Sequence, residues 1–209
     1  MVTTMESTQP SRRPGRPLSF DRDIALRQAM LSFWRHGYET TSIADLTVAM
    51  GITAPSLYAA FGDKKQLFLE AVRLYAGDPQ AMADGIGAAP SALEAARSLM
   101  TAAACTYTGE DTPSGCLMAS ATASGSAASA DVQRVVADIR RGVRRRLQAK
   151  IDQDIQADRL PPATDAAALA GLVMAVMQGM SVLARDGMER PALLAIAESS
   201  LQAWPGDAR

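Results

Sequence analysis

Val132, Val136, Ile139, Val143, Leu147, Ile151 and Ile155 follow one another at steps of three or four residues, with charged side chains between them. That spacing keeps all seven apolar side chains on one face of an α-helix, whereas a strand would scatter them over both of its faces. At 1.5 Å per residue such a helix is about 36 Å long, so its apolar stripe needs other helices packed along its length. No alternating apolar and polar run stands elsewhere, and aromatic residues make up only 5% of the chain. Rich use of Ala, Leu, Met and Arg points the same way, to an all-α fold of about nine helices.

With 48% hydrophobic and 21% charged residues, a chain of 209 can bury the core of one medium domain or two small ones. The formal charge of −1 divides unevenly: residues 1–77 hold 9 Lys and Arg against 7 Asp and Glu, the remainder 12 against 15. A nucleic acid must therefore be held by locally placed cations rather than by bulk charge. No basic stretch leads into an apolar one at the start, so a cytoplasmic protein is expected, and Cys105 and Cys116 are not expected to form a structural disulfide. Residues 166–184 carry no charge, but Gln178, Ser181 and many alanines point to a buried interface helix rather than a membrane span. His36 is the only histidine, no Cys, His and carboxylate cluster has metal-ligand spacing, and no phosphate loop or Ser–His–Asp set is present. No metal, no cofactor and no catalytic residues are expected.

Residues 1–16 are expected as a flexible basic arm, because RRPGRP at 12–17 sets two prolines and a glycine within six residues. A first helix starts near Asp21, lines up Leu26, Ala29, Met30 and Phe33, and stops at Gly37. Ser42-Ile-Ala-Asp45 opens a second as a capping box in which Asp replaces the usual Glu or Gln, and Gly51 ends it. Thr53 caps a third, with Pro55 in the first turn where a missing N–H costs no helical hydrogen bond. A fourth runs from Asp63 to Tyr75, and the loosely patterned residues 81–89 read as a connector. Ser91-Ala-Leu-Glu94 is a fuller capping box for a helix reaching Tyr107; residues 108–115 form a loop, and a small-residue helix follows from Cys116 to near Gly125. Arg159-Leu-Pro-Pro162 closes the long helix, and the last two helices span Asp165–Asp186 and Pro191–Trp204. Both are apolar on more than one face, which a second copy of the chain would cover.

The third helix carries the clearest functional signal. Residues 51–61, GITAPSLYAAF, offer only Leu57 and Phe61 to a core, while Ala54, Ser56, Ala59 and Ala60 leave the other face nearly bare. Two short helices joined by a glycine turn, the second one small-faced, make a helix-turn-helix pattern, since a reading helix must enter a major groove about 12 Å wide. GRPLSFDRD, FWRHGYETTSIADLTVAMGITAPSLYAAFGDKKQLF and EAVRLY closely resemble the N-terminal domain of the TetR family of transcriptional regulators, over residues 16–75. The resemblance implies a DNA-binding domain at 17–76, an effector-binding and dimerisation domain at 77–209, and a homodimer formed through the last two helices. It implies a repressor acting on a palindromic operator in double-stranded DNA. It sets Thr53, Ala54, Pro55 and Ser56 near base edges and Tyr58 and Lys64 on phosphates. Thr41 and Ser42 would meet phosphates through hydroxyl and backbone N–H groups, and Arg12, Arg13 and Arg16 would follow the backbone or enter a narrow minor groove. Pro55 and Ala60 depart from the family's usual small residue and larger aromatic or histidine. The helix also lacks Arg, Asn and Gln, so hydroxyls, thymine-methyl contacts and DNA shape are left to carry base preference.

For the C-terminal part the resemblance implies a small-molecule effector whose binding is linked to DNA affinity. Met100, Tyr107, Met118, Met174, Met177 and Gln178, with Cys116, are the candidate lining; methionine adapts to irregular apolar ligands, and core packing is the competing role for each. Cys105 and Cys116 flank the 108–115 loop and offer an alternative, a thiol sensor of oxidants or electrophiles, on the condition that Cys116 is exposed. Arg140, Arg141, Arg144, Arg145 and Arg146 lie mostly off the apolar face of the long helix and read as a solvated surface.

Overall fold

The computed structural model describes residues 20–120 and 130–205, which form ten helices and, among the described residues, no strand. The first four are α1 (Arg22–His36), α2 (Ile43–Met50), α3 (Ala54–Phe61) and α4 (Lys64–Ala76). After them come α5 (Pro79–Ala88), α6 (Ala92–Tyr107), the four-residue α7 (Leu117–Ser120), α8 (Ala130–Gln156), α9 (Ala166–Arg185) and α10 (Arg190–Leu201). The arm with Arg12, Arg13 and Arg16, and residues 121–125 of the expected small-residue helix, lie outside the described residues.

Most helix starts are settled locally. The side chains of Asp21, Ser42, Thr53, Asp63, Ser91 and Asp165 each accept a hydrogen bond from a first-turn N–H, a contact worth about 1 kcal/mol. Asp78 does the same for α5, with Pro79 as its first residue, so the expected connector at 81–89 is corrected to a helix. Only Ile86 of α5 is buried, and Gly85 and Gly87 weaken its helical propensity, which leaves no apolar period to find. The capping box at Ser91 is half formed: its hydroxyl accepts from Glu94 N at 3.2 Å, but the Glu94 carboxylate turns to Arg97.

Two cores result. Helices α1 to α4 enclose Phe33, Leu46, Leu57, Phe61, Leu67 and Phe68, with the Phe33 and Phe68 rings edge to face at 5.0 Å. Helices α5, α6, α8, α9 and α10 enclose Met100, Leu147, Ile151, Met180 and Leu193. The stripe of α8 serves both, Val132 and Val136 joining the first core and Leu147 and Ile151 the second, which accounts for its length. Near its other end Asp154, 1% exposed, accepts from Ala92 N at 2.6 Å and pairs with Arg159, so α8 caps the start of α6 across the core. Asp154→Ala should cost about 2–3 kcal/mol by stranding a buried N–H. Thermal unfolding should then show a midpoint lowered by about 4–12 °C; an unchanged midpoint would remove Asp154 from that role.

The loop after α6 and α7 joins the two cores. Gly115 N donates to Tyr107 O at 2.9 Å, and Gly115 O accepts from the buried Trp34 Nε1 at 3.0 Å. Cys116 N donates to Ser181 Oγ at 2.9 Å, while Arg185 donates to Cys116 O at 3.0 Å and to Ser120 Oγ. The Tyr75 hydroxyl donates to Cys116 Sγ at 3.4 Å, and its ring meets Trp34 edge to face at 4.8 Å. One short segment thus fastens α1 and α4 to α6 and α9. Helix α9 is long and apolar enough to cross a membrane, with mean hydropathy 1.9, but here it packs on α6, α8 and α10.

Candidate nucleic-acid interface

Helices α2 and α3 stand at 90° to one another. The turn between them depends on Gly51, whose left-handed conformation (φ 66°, ψ 30°) turns its own N–H and that of Ile52 back onto the Val48 and Thr47 carbonyls. Leu57 and Phe61 are buried in the first core, which leaves Thr53, Pro55, Tyr58 and Ala59 exposed and Ala54, Ser56 and Ala60 half-exposed. The outer face of α3 is therefore low, with Tyr58 as its one large side chain. At its N-terminus the Thr53 and Ser56 hydroxyl oxygens lie 3.0 Å apart, at the end of the helix that favours negative charge. Behind it, Arg22 clamps the C-terminal end of α3: its guanidinium pairs with Glu70 at 2.7 Å, donates to Ala60 O at 3.3 Å and lies 4.4 Å from the centre of the Phe61 ring.

Lys64 sits beside this helix, its Nζ donating to Glu39 O at 3.3 Å and standing 4.7 Å from the Tyr38 ring centre. Burial lowers its pKa from the ordinary lysine value. Two of the expected phosphate contacts are corrected. Thr41 is 1% exposed and its hydroxyl donates to Gly37 O at 2.6 Å, so it knits the α1–α2 turn instead of facing outward. Ser42 is exposed, but its N–H and hydroxyl donate to the Asp45 carboxylate at 2.8 and 2.6 Å, completing the capping box. Those bonds hold the Asp45 carboxyl below its usual range, and the anion they stabilise opposes a phosphate at that point. The first-turn N–H groups of Ile43 and Ala44 have no carbonyl four residues back within the helix, and they are the donors that remain there.

Val48, 82% exposed, was not among the expected contacts. It stands with Thr47 at a surface cleft shared with Thr53 and Ser56, against the N-terminal end of α3. The signal was present, because a β-branched apolar residue lying off the Ile43, Leu46 and Met50 stripe has no core to enter; its methyls are of the kind that pack on thymine.

The expected effector lining does not gather at one cavity. Met100, Tyr107 and Cys116 are core residues, 0%, 4% and 2% exposed, and Met118 and Met177 are half-buried against the cores. Met174 and Gln178 instead line a shallow groove of α8 and α9 with Arg140, Arg141 and Arg144. Burial beside Cys116 raises the Tyr75 and Tyr107 hydroxyl pKa values. Cys105 is exposed, at a cleft of about 650 Å³ walled by Met30, Trp34 and Leu74, whereas Cys116 does not meet the exposure set as the condition for a thiol sensor. No group of three or more metal-ligating side chains occurs among the described residues.

Residues 25–71 match the family described as "Bacterial regulatory proteins, tetR family", and residues 92–197 match "Tetracyclin repressor-like, C-terminal domain". The chain belongs to the TetR family. It is 37% identical over 193 residues to the HTH-type transcriptional repressor ComR of Escherichia coli (strain K12), across 91% of this chain and 92% of that one. A cysteine-substituted form of the TetR family transcriptional regulator CifR, solved in complex with a 26-base-pair double-strand operator DNA, is 40% identical, with a TM-score of 0.84 over 91% of this chain and 100% of that one. A TetR regulator from Rhodococcus sp. RHA1 is 35% identical, with a TM-score of 0.61 over 89% of this chain and 100% of that one. The first TetR match ends within α4 and the second begins at the first residue of α6, so both matches are to helical units of the fold.

Proposed function

We propose that the protein is a cytoplasmic homodimeric repressor, without catalytic activity, that binds a palindromic operator and is released from it by a small-molecule effector. The bare outer face of α3, set at 90° to α2, carries the reading, because it is the shape a major groove admits. The names of the relatives support it: ComR is a repressor, and CifR was solved with operator DNA. Two copies of α3 reading half-sites about 34–36 Å apart make the operator palindromic.

Helices α9 and α10 support the dimer. Ala168, Leu172, Ala175, Gly179 and Val182 are all exposed, at alternating steps of four and three, and a Cβ added at Gly179 would meet nothing within 4 Å. Ala192, Ala195 and Ser199 form a similar exposed small-residue stripe on α10. Such stripes suit close packing of both helices on their symmetry mates in a four-helix interface. An effector that favours a spacing of the two reading helices unsuited to the operator lowers DNA affinity by the ratio of its own affinities for the two arrangements. The Gly115–Ser120 segment, fastened to α1, α4, α6 and α9, is the path for that displacement.

A second reading keeps the thiol sensor but moves it to Cys105, because this exposed sulfur opens on the cleft bounded by Trp34 of α1. Cys105→Ser should then abolish release by an electrophile while leaving operator affinity intact; release unchanged in that variant removes the reading.

Selection of sites from random duplex DNA, followed by affinity against salt for the winner, tests the main proposal. A palindrome with steep salt dependence is expected. Tyr58→Phe should weaken operator and random DNA alike, by about threefold, whereas Ser56→Ala should alter the ranking of sequences. No enriched sequence, or both variants matching the parent on every DNA, would overturn it.

A further inference from the structure

Between the end of α4, α5 and the middle of α8 lies a cavity of about 560 Å³, a size typical of small-molecule sites. Its floor is apolar, built from Ala76, Met82, Val135, Ile139 and Val143. Its rim is cationic: Arg73, Arg145 and Arg146 line it, and none of them has an ion-pair partner among the described residues. The carboxylate on the same wall, Asp138, is already held by Arg141 at 2.5 Å. The unpaired charge around the cavity is therefore positive.

Gly142 also lines the cavity, in the middle of a 27-residue helix. Glycine there costs about 1 kcal/mol relative to alanine. A Cβ added at Gly142 would meet only the Arg146 guanidinium, at 3.8 Å, so no packing requires glycine; its missing side chain keeps the wall open beside that cation.

We propose that this cavity is the effector site and that it takes an amphipathic organic anion, a carboxylate or sulfonate on a hydrocarbon body; the proposal rests on the effector reading above and names its chemistry. The guanidiniums offer planar, paired donors to the oxyanion, and the floor takes the hydrocarbon. The position also gives the ligand leverage. Helix α4 closes the DNA-binding unit and carries Arg73 near its end, while at its start Lys65 pairs with Asp131 of α8. A ligand seated between α4 and α8 pushes on α4 at the end away from that pair.

Calorimetric titration of the full chain with decanoate, decanol and decyltrimethylammonium, all below their aggregation concentrations, reads the charge preference. Decanoate should bind about tenfold or more tightly than the other two. Arg146→Gln should weaken it about five- to tenfold, and Gly142→Leu, which favours the helix but fills the space, should abolish it. Arg144→Gln, the same change of charge on α8 outside this cavity, should leave it unchanged. No binding of decanoate, equal binding of the three compounds, or binding that survives Gly142→Leu overturns the site. Operator affinity is measured separately, with and without decanoate. Release that is lost in Gly142→Leu supports the effector role, and bound decanoate that leaves operator affinity unmoved overturns it. A protein that binds no operator even without decanoate removes the regulator reading and the effector role with it, while the calorimetry still decides whether the cavity takes anions.

Discussion

Val182→Glu is expected to turn the proposed dimer into a monomer and to lower operator affinity by about a hundredfold or more, because two linked half-site contacts become one. Val182 is 57% exposed, so its own protomer loses little packing, and helix content and the first core should be unchanged. In a two-fold interface built on the Leu172–Gly179–Val182 stripe, however, each dimer would bury two new carboxylates with no cation prepared for them. Sedimentation velocity reads the mass and a half-site titration the residual DNA contact. A dimer that survives Val182→Glu at micromolar concentration would move the interface off this face of α9, whatever the DNA affinity does.

Gly115→Ala should produce the largest loss of stability from one added carbon. The residue sits at φ +79°, and its new Cβ would stand 2.7 Å from the Ser181 backbone oxygen and 2.6 Å from Arg185 Nε. A side chain as flexible as arginine can yield, but the Ser181 carbonyl belongs to the backbone of α9, one turn from its C-terminal end, and cannot move alone. Conformational strain and displacement together amount to about 2–4 kcal/mol, or a thermal midpoint lower by about 5–15 °C. The damage should spread, since moving Gly115 pulls its carbonyl from Trp34 Nε1 and slackens the joint between the two cores. Gly85→Ala on α5 is the matched comparison: its Cβ meets nothing within 4 Å and it should gain about 0.5–1 kcal/mol. Equal midpoints for the two variants would show that the joint is not under steric constraint.

The helix starts were readable one residue at a time because a cap is local chemistry: Asp21, Ser42 and Thr53 are each within three residues of the N–H they satisfy. The same locality made the two faces of α3 legible, since its two inward residues and its small outward ones are neighbours along the chain. Helix α5 escaped because its capping signal, Asp78 followed by Pro79, stood before a segment with one buried residue and two glycines. Thr41 and Ser42 went astray for another reason. Their donors were counted as free, and only the folded turn shows that Gly37 O and Asp45 already take them.

The effector lining failed on a question of direction. Periodicity reports that Met100, Tyr107 and Met174 lie on apolar faces, but a face turned to a full core and a face turned to a cavity have the same period. The residues around the α4–α8 cavity come from three helices, and its defining feature, unpaired arginines over an apolar floor, exists only once those helices are packed. By itself the sequence determined the helices other than α5, their main caps and the bare face of α3, because these depend on contacts within one or two turns. The tertiary structure alone decided which thiol is exposed, which hydroxyls are spent, how Gly115 fastens the two cores and where an open space remains, because each depends on side chains brought together from distant parts of the chain.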